Sequence, residues 1–214
     1  MIFRNMLLAL AATALPALTL PVTALAAEPA SCKSVRFSDV GWTDISATTG
    51  IATTLLTALG YQPEVKVLSL PVTYTAMAKN DVDVFLGNWM PSQENDLKPY
   101  RDSGTVEVLR TNLTGAKYTL ATNEAGAKLG IDDFGKIAAH KADLDGKIYG
   151  IEPGNDGNRL IIDMVSDNKF DLGDFEVVES SEQGMLSEVA RAERLEEAVG
   201  LAAAIHLDIQ SADI

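Results

Sequence analysis

The chain has 214 residues, of which 47% are hydrophobic and 22% are charged, a composition typical of a globular protein. Its formal net charge of −13 argues against a basic face for nucleic acid or anionic lipid, so we expect no nucleic-acid partner. The same acidic field mildly favours cationic partners.

The first 26 residues predict an export signal. Arg4 supplies a positive start, an uncharged apolar run follows, and residues 24–26 (Ala-Leu-Ala) match the small-x-small pattern that signal peptidase recognises. A membrane-spanning helix is the alternative, but Pro16 and Pro21 interrupt the run and no basic stop-transfer cluster follows it. Removing those 26 residues from the 214 leaves 188, and we expect this mature protein to reside in the periplasm.

Strand-like and helix-like patterns then alternate along the chain. Strands are predicted at 34–41, 64–71, 81–89, 116–123, 147–154 and 175–181. Helices are predicted at 48–60, 72–80 and 155–168 and from 182 onward, with shorter ones in 90–104 and 132–144. This order predicts an α/β fold in which helices cover open, mainly parallel sheets, arranged as two lobes of one protein.

The patterns of enzymes and metal sites are missing from the sequence. It contains no G-x-S-x-G elbow, no phosphate-binding loop and no G-x-G-x-x-G turn, and the two histidines, His140 and His206, form no zinc-ligand pattern. We therefore expect no catalytic residues, no metal and no cofactor. A hydrolase that uses Asp44 or Glu152 as a base is the enzyme alternative.

Aromatic residues lie at or beside the ends of predicted strands. Trp42, Trp89 and Tyr118 occupy such positions, and ligands of parallel sheets bind at the carboxyl ends of strands. A methylated ammonium offers no N–H donor, so its site must use aromatic faces, worth about 0.5–2 kcal/mol each. Asp44 could add charge or accept a ligand hydroxyl, and Asn155 could reach the same polar end. The alternative is that both tryptophans are ordinary core anchors.

Five blocks in the correct order resemble one known family. They read RFSDVGWTDI, VLSLPVTYTAMAKNDVDVFLGNWMPS, GAKYTLATN, KIYGIEPGNDGNRLIIDM and VVESSEQGML. Together they resemble the glycine betaine/proline/choline family of ABC-transporter substrate-binding proteins, almost continuously from about residue 27 to 193. The resemblance implies a type II periplasmic-binding-protein fold with two crossovers, in which 27–116 form the first lobe and 117–193 the second.

The resemblance also implies a site and a ligand. By it, Trp42 and Trp89 are cage residues from the first lobe, Tyr118 is a third wall at the crossover, and Asp44 and Asn155 hold a ligand hydroxyl. The implied ligand is choline or a related quaternary amine, delivered by a monomer to an ABC permease in the inner membrane. Asp44 would repel the carboxylate of glycine betaine, although glycine betaine or proline betaine remains the alternative ligand.

The resemblance ends at residue 193. Family members continue into a strand carrying GW-x-PHPMN and a fourth cage tryptophan, whereas residues 194–214 show no likeness to it. The family also implies a partner for the single cysteine, Cys32, in that absent part. We expect an incomplete second lobe and return crossover, with a divergent tail that comes from a frameshift or from a short paralogue with a helical C terminus. Weak or no choline binding follows, and a non-functional remnant is the alternative function.

Overall fold

The computed structural model describes residues 29–207, without the side chains of residues 117 and 201–207. The predicted signal segment and residues 208–214 therefore lie outside the described residues. Between residues 29 and 207, no helix combines the length and the hydrophobicity needed to cross a membrane.

The first half of the chain builds a three-stranded parallel sheet in the order β2-β1-β3. The strands are β1 Ser34–Asp39, β2 Gln62–Val67 and β3 Val84–Phe85. The helices are α1 Thr43–Ala58, α2 Leu70–Ala78 and α3 Glu94–Asp102. All the elements predicted for this half are present, but α1 begins five residues earlier than predicted because it starts directly after the turn that follows β1.

The third strand is much shorter than the predicted 81–89. Before it, the Asp83 N–H still donates to the Arg36 carbonyl at 2.8 Å, but the Arg36 N–H donates to the Asp83 carboxylate, also at 2.8 Å, instead of to a backbone carbonyl. After it, the carbonyl of Gly87 accepts from the Gln93 amide at 3.1 Å. Because side chains replace one backbone partner on each side, at Arg36 and at Gly87, the ladder with β1 contains only two residue pairs.

The second half builds a four-stranded sheet in the order β4-β7-β5-β6. Its strands are β4 Ala116–Thr122, β5 Lys147–Tyr149, β6 Glu176–Val178 and β7 Gly200–Leu207. Its helices are α4 Glu124–Lys128, α5 Phe134–Ile137, α6 Asp156–Ser166 and α7 Glu182–Leu195. The pairs β5–β6 and β5–β7 are parallel, whereas β4 and β7 are antiparallel, so this sheet is mixed.

Strand β7 lies within the stretch predicted to be a divergent tail. Its alanine-rich sequence would suit a helix, yet it inserts between β4 and β5 and pairs with both. Backbone pairing on two sides outweighs the local preference of alanine for a helix. The helical form of the short-paralogue alternative is therefore wrong for residues 200–207, while the predicted lobe and tail boundaries remain predictions.

Among the described side chains, three groups of buried residues form the core. One belongs to the first half (Leu70, Tyr74, Leu97 and Val106), and one to the second (Ile137, Leu144, Ile148, Ile161, Leu172 and Phe175). The third joins the halves and contains Val40, Trp42, Ile45, Ile151, Met185, Ala192 and Val199. This mixed group seats the β1–α1 junction against β5 and α7, which places the ends of strands from both sheets side by side.

Candidate functional site

The turn between β1 and α1 carries the first of the predicted site residues. Gly41 takes a positive φ of 84°, and its N–H donates to Asp39, which also accepts from the Ser46 hydroxyl. This turn places Trp42 at the N-cap of α1, where its side chain is 6% exposed. The indole Nε1–H donates to Glu152 Oε1 at 2.9 Å, so a carboxylate of the second half anchors an aromatic ring of the first.

Glu152 accepts two hydrogen bonds at one oxygen. Besides the indole of Trp42, the Asn155 amide donates to Glu152 Oε1 at 3.2 Å. Burial raises the pKa of Glu152 above its ordinary value, although these two hydrogen bonds oppose the shift. Sequence reasoning considered Glu152 only as a hydrolytic base, yet its position just beyond β5 could have marked it, because ligands bind at the carboxyl ends of parallel strands.

Asn155 caps the N-terminus of α6, as its place before this helix suggests. Its Oδ1 accepts from the N–H groups of Gly157 and Asn158, and also from the Tyr118 hydroxyl at 3.1 Å. Only 1% of Asn155 is exposed, so the amide is held rigidly between the helix, the phenol and Glu152. Burial raises the pKa of Tyr118, which keeps its hydroxyl protonated as a donor.

Tyr118 also contacts the second tryptophan of the chain. Its ring lies 6.3 Å from that of Trp89, centroid to centroid, with the planes tilted by 47°. Trp89 is half-buried and packs against the core group that contains Trp42. Both tryptophans therefore meet the core where the two halves join, so the core-anchor alternative describes part of what they do.

Gly157 decides how close Tyr118 can come. A Cβ at this position would lie 1.8 Å from the phenol oxygen and 2.4 Å from Cζ, distances that no packing tolerates. The absent side chain is what allows the ring to lie across the first turn of α6 and reach Asn155. Sequence reasoning missed this residue, and the only available signal was a glycine inside the predicted helix.

Asp44 lies beside the network rather than within it. It occupies the first turn of α1, near Asp39 and Glu182, and Glu182 accepts the backbone N–H of Thr43 at 2.8 Å. Burial, together with the charges of Glu182 and Asp39, raises the pKa of Asp44. Its Oδ1 is buried and has no hydrogen-bond partner among the described groups, which leaves an acceptor for a ligand.

The structure thus brings four of the five predicted residues into one connected network. It runs from Trp42 through Glu152, Asn155 and Tyr118 to Trp89. Aromatic surfaces and the half-buried carboxyl group of Glu152 lie together along it, a combination suited to a cation that cannot donate hydrogen bonds. Within residues 29–207, no group of three or more histidine, cysteine, aspartate or glutamate side chains is arranged to hold a metal ion.

Two solved structures resemble this chain closely. An ABC-transporter choline-binding protein in complex with choline is 68% identical, with a TM-score of 0.78, over 81% of this chain and 60% of that chain. An unliganded, semi-closed structure of an ABC-transporter choline-binding protein is 64% identical, with a TM-score of 0.74, over 86% of this chain and 64% of that chain. The chain therefore spans less than two thirds of the length of these two proteins.

More distant proteins share the fold. Lactococcal OpuAC, in its closed-liganded conformation complexed with glycine betaine, is 20% identical with a TM-score of 0.68, over 78% of this chain and 63% of that chain. These structures confirm the expected α/β fold of periplasmic binding proteins. Among curated proteins, an uncharacterized protein, ORF1, of Chromohalobacter salexigens is 49% identical over 131 residues, which cover 61% of this chain and 84% of that protein.

The sequence model of one family matches residues 33–204. That family is described as the substrate-binding domain of an ABC-type glycine betaine transport system. The match covers every residue of the connected network, and its C-terminal limit lies inside β7. The chain belongs to this family of ABC-transporter substrate-binding domains.

Proposed function

We propose that this chain captures choline, or a closely related small quaternary amine, in the periplasm for an ABC permease of the inner membrane. The observation that carries the proposal is the network that joins Trp42 to Trp89 through Glu152, Asn155 and Tyr118. It combines indole and phenol rings with acceptor groups from both halves of the chain. In this role the chain is a binding protein, not an enzyme.

The electrostatics of the site favour a cation. Three carboxyl groups near the network, those of Asp44, Glu152 and Asp156, have their pKa values raised by burial. Buried carboxylates are poorly solvated, so an approaching positive charge gains more from them than it would from carboxylates in water. A trimethylammonium group carries that charge without N–H donors, and the aromatic faces of the site can cover its methyl groups.

The same groups favour a ligand hydroxyl over a ligand carboxylate. Asp44 Oδ1 is a buried acceptor without a partner among the described groups, so a hydroxyl could donate to it. The carboxylate of glycine betaine would instead meet the field of Asp44 and of its neighbours Asp39 and Glu182. A protein 68% identical to this chain was solved in complex with choline, which supports choline as the ligand.

Tryptophan fluorescence tests the proposal directly, because Trp42 and Trp89 are the only tryptophans in the chain and both contact the site. The folded protein is titrated with choline, tetramethylammonium and glycine betaine, with sodium chloride as the ionic-strength control. The chain spans less than two thirds of the length of the two choline-binding proteins, so we expect a weak but saturable response that is strongest for choline and weakest for glycine betaine.

Two results would count against the proposal. Tighter binding of glycine betaine than of choline would favour the betaine alternative. A cooperatively melting protein that gives no saturable response to any of the three amines would refute ligand capture by this chain and favour a non-functional remnant.

A further inference from the structure

A second set of contacts joins the two halves, beside the candidate site. Gln93 and Asp96, at the start of α3, face Asp156 and Arg159, in the first turns of α6. The Gln93 amide donates to Asp156 Oδ1 at 3.4 Å, and Arg159 forms an ion pair with Asp96. In each segment the two residues are three positions apart, so the two contacts lie about one helical turn from each other. We call the contact between Gln93 and Asp156 the first rung, and the ion pair between Asp96 and Arg159 the second rung.

The first rung is built from buried, fixed side chains. Gln93 is fully buried, and it accepts from the Tyr74 hydroxyl at 2.8 Å while donating to the Gly87 carbonyl at 3.1 Å. Asp156 is 2% exposed, and its Oδ2 has no hydrogen-bond partner among the described groups. Separating the two halves would therefore deprive a buried carboxyl group of its Gln93 donor.

In the second rung, Arg159 is also fixed by a hydrogen bond within its own half. Arg159 donates to the Gly154 carbonyl at 3.0 Å as it pairs with Asp96, so a contact within its own half also orients its guanidinium. The Asp96 side chain is only 14% exposed. A charge pair in this partly shielded position couples more strongly than an exposed one.

In each half, a residue of the first rung is directly connected to a candidate ligand-binding residue. The backbone N–H of Gln93 donates to the Trp89 carbonyl at 2.9 Å, and Asp156 directly follows Asn155. A change in the separation of the rungs must therefore change the separation between Trp89 and the Tyr118–Asn155 pair.

We propose that Gln93, Asp96, Asp156 and Arg159 form an inter-lobe latch that holds the aromatic walls at binding distance. The latch residues position the site and do not contact the ligand. They lower the ligand dissociation rate without changing which amine is preferred, because a latch stabilises the closed state equally for every ligand that occupies it. The binding test of this inference rests on the proposed function, whereas the test by distances in the ligand-free protein does not.

Charge reversal across the second rung tests the latch. Asp96→Arg and Arg159→Asp are each expected to raise the dissociation rate and the Kd roughly tenfold, the size of coupling within one contact network. The factor should be the same for choline and for tetramethylammonium. The double reversal is expected to recover most of the loss, whereas Arg101→Glu, which breaks the Arg101–Glu94 pair within α3, is the matched control and should leave binding unchanged.

The geometric readout uses the ligand-free protein. Cys32 is free and exposed in the first half, and Asp174→Cys supplies a second exposed label position in the other half. Spin-label distances between them should lengthen or broaden in both single reversals and return in the double reversal, with Arg101→Glu resembling the parent.

The two proposals fail in different ways. A parent protein that binds no amine, but shows this pattern of distances, refutes the proposed function and retains the latch. A parent that binds choline, while neither the distances nor the dissociation rate respond to reversal, refutes the latch. A double reversal as impaired as the singles also refutes it.

Discussion

The Gly157→Ala substitution tests whether the phenol of Tyr118 occupies the place assigned to it. The added methyl group would lie 1.8 Å from the phenol oxygen and 2.4 Å from Cζ. Ordinary contact distances are about 3.5 Å, so the ring must move by about 1.5–2 Å. A movement of that size breaks the 3.1 Å hydrogen bond to Asn155 and alters the contact with Trp89.

The expected cost follows from these contacts. Overpacking typically costs about 1–3 kcal/mol, and the lost hydrogen bond about 1 kcal/mol more. We therefore expect the free energy of unfolding to fall by about 2–4 kcal/mol. Losing one aromatic wall should weaken choline binding by about 0.5–2 kcal/mol, which corresponds to roughly 2- to 30-fold in Kd.

Urea unfolding followed by tryptophan fluorescence measures the first effect, and ligand titration measures the second. Gly50→Ala is the matched control, because Gly50 lies within α1 and a Cβ there meets nothing within 4 Å. It should raise the free energy of unfolding by about 0.5–1 kcal/mol through the lower backbone entropy of the unfolded chain.

A double-mutant cycle assigns the cost to one contact. In a Tyr118→Ala background the added methyl group has no ring to displace, so Gly157→Ala should lose most of its effect there. If the substitution costs as much without the ring as with it, or if it leaves the stability and the choline affinity of the parent unchanged, the assigned position of Tyr118 is wrong.

Three further predictions concern the cage, its charge and the core. Trp89→Ala should weaken choline binding by about 1–2 kcal/mol in calorimetry, whereas Trp89→Phe should retain most of the affinity because it keeps an aromatic face; an unchanged affinity in the alanine variant would remove Trp89 from the cage. Since burial raises the pKa values of Asp44, Glu152 and Asp156, these groups should take up protons above the usual carboxyl range, and choline binding should weaken as the pH falls from about 7 to about 4. A choline affinity that increases on acidification would contradict this assignment. For folding, the raised pKa values mean that the three groups favour the folded state at pH values below their unfolded pKa values, and this contribution is lost as the pH rises through their folded pKa values. Leu70→Ala removes a fully buried side chain and should lower the free energy of unfolding by about 2–5 kcal/mol in urea titrations, so a loss well below 1 kcal/mol would contradict its packed position.

Local pattern predicted most of the elements but not their lengths. The helical spacing before Gly60 indicated α1, and the apolar alternation around residues 34–41 indicated β1. The third strand was predicted too long, because the Asp83 carboxylate takes the backbone N–H of Arg36 in β1 and the Gln93 amide takes the Gly87 carbonyl. The contact with Arg36 joins residues 47 positions apart, which no local window of the sequence contains.

The alanine-rich segment at residues 200–207 shows a different limit. Its composition suits a helix, and nothing within it specifies a strand. Two neighbouring strands offer it backbone partners, and that pairing exists only after the second sheet has assembled.

By itself, the sequence determined that aromatic residues fall at strand ends and that Asn155 opens a helix, because both follow from local periodicity and from the residue types preferred at turns. Only the tertiary structure decided that Glu152 joins Trp42 to Asn155, and that Gly157 admits the ring of Tyr118. Those contacts connect residues as far apart as 110 positions, or depend on an absent side chain. The contact of Trp42 with Glu152 arises only when the two halves pack against each other, and that of Gly157 with Tyr118 arises only when β4 lies across the start of α6.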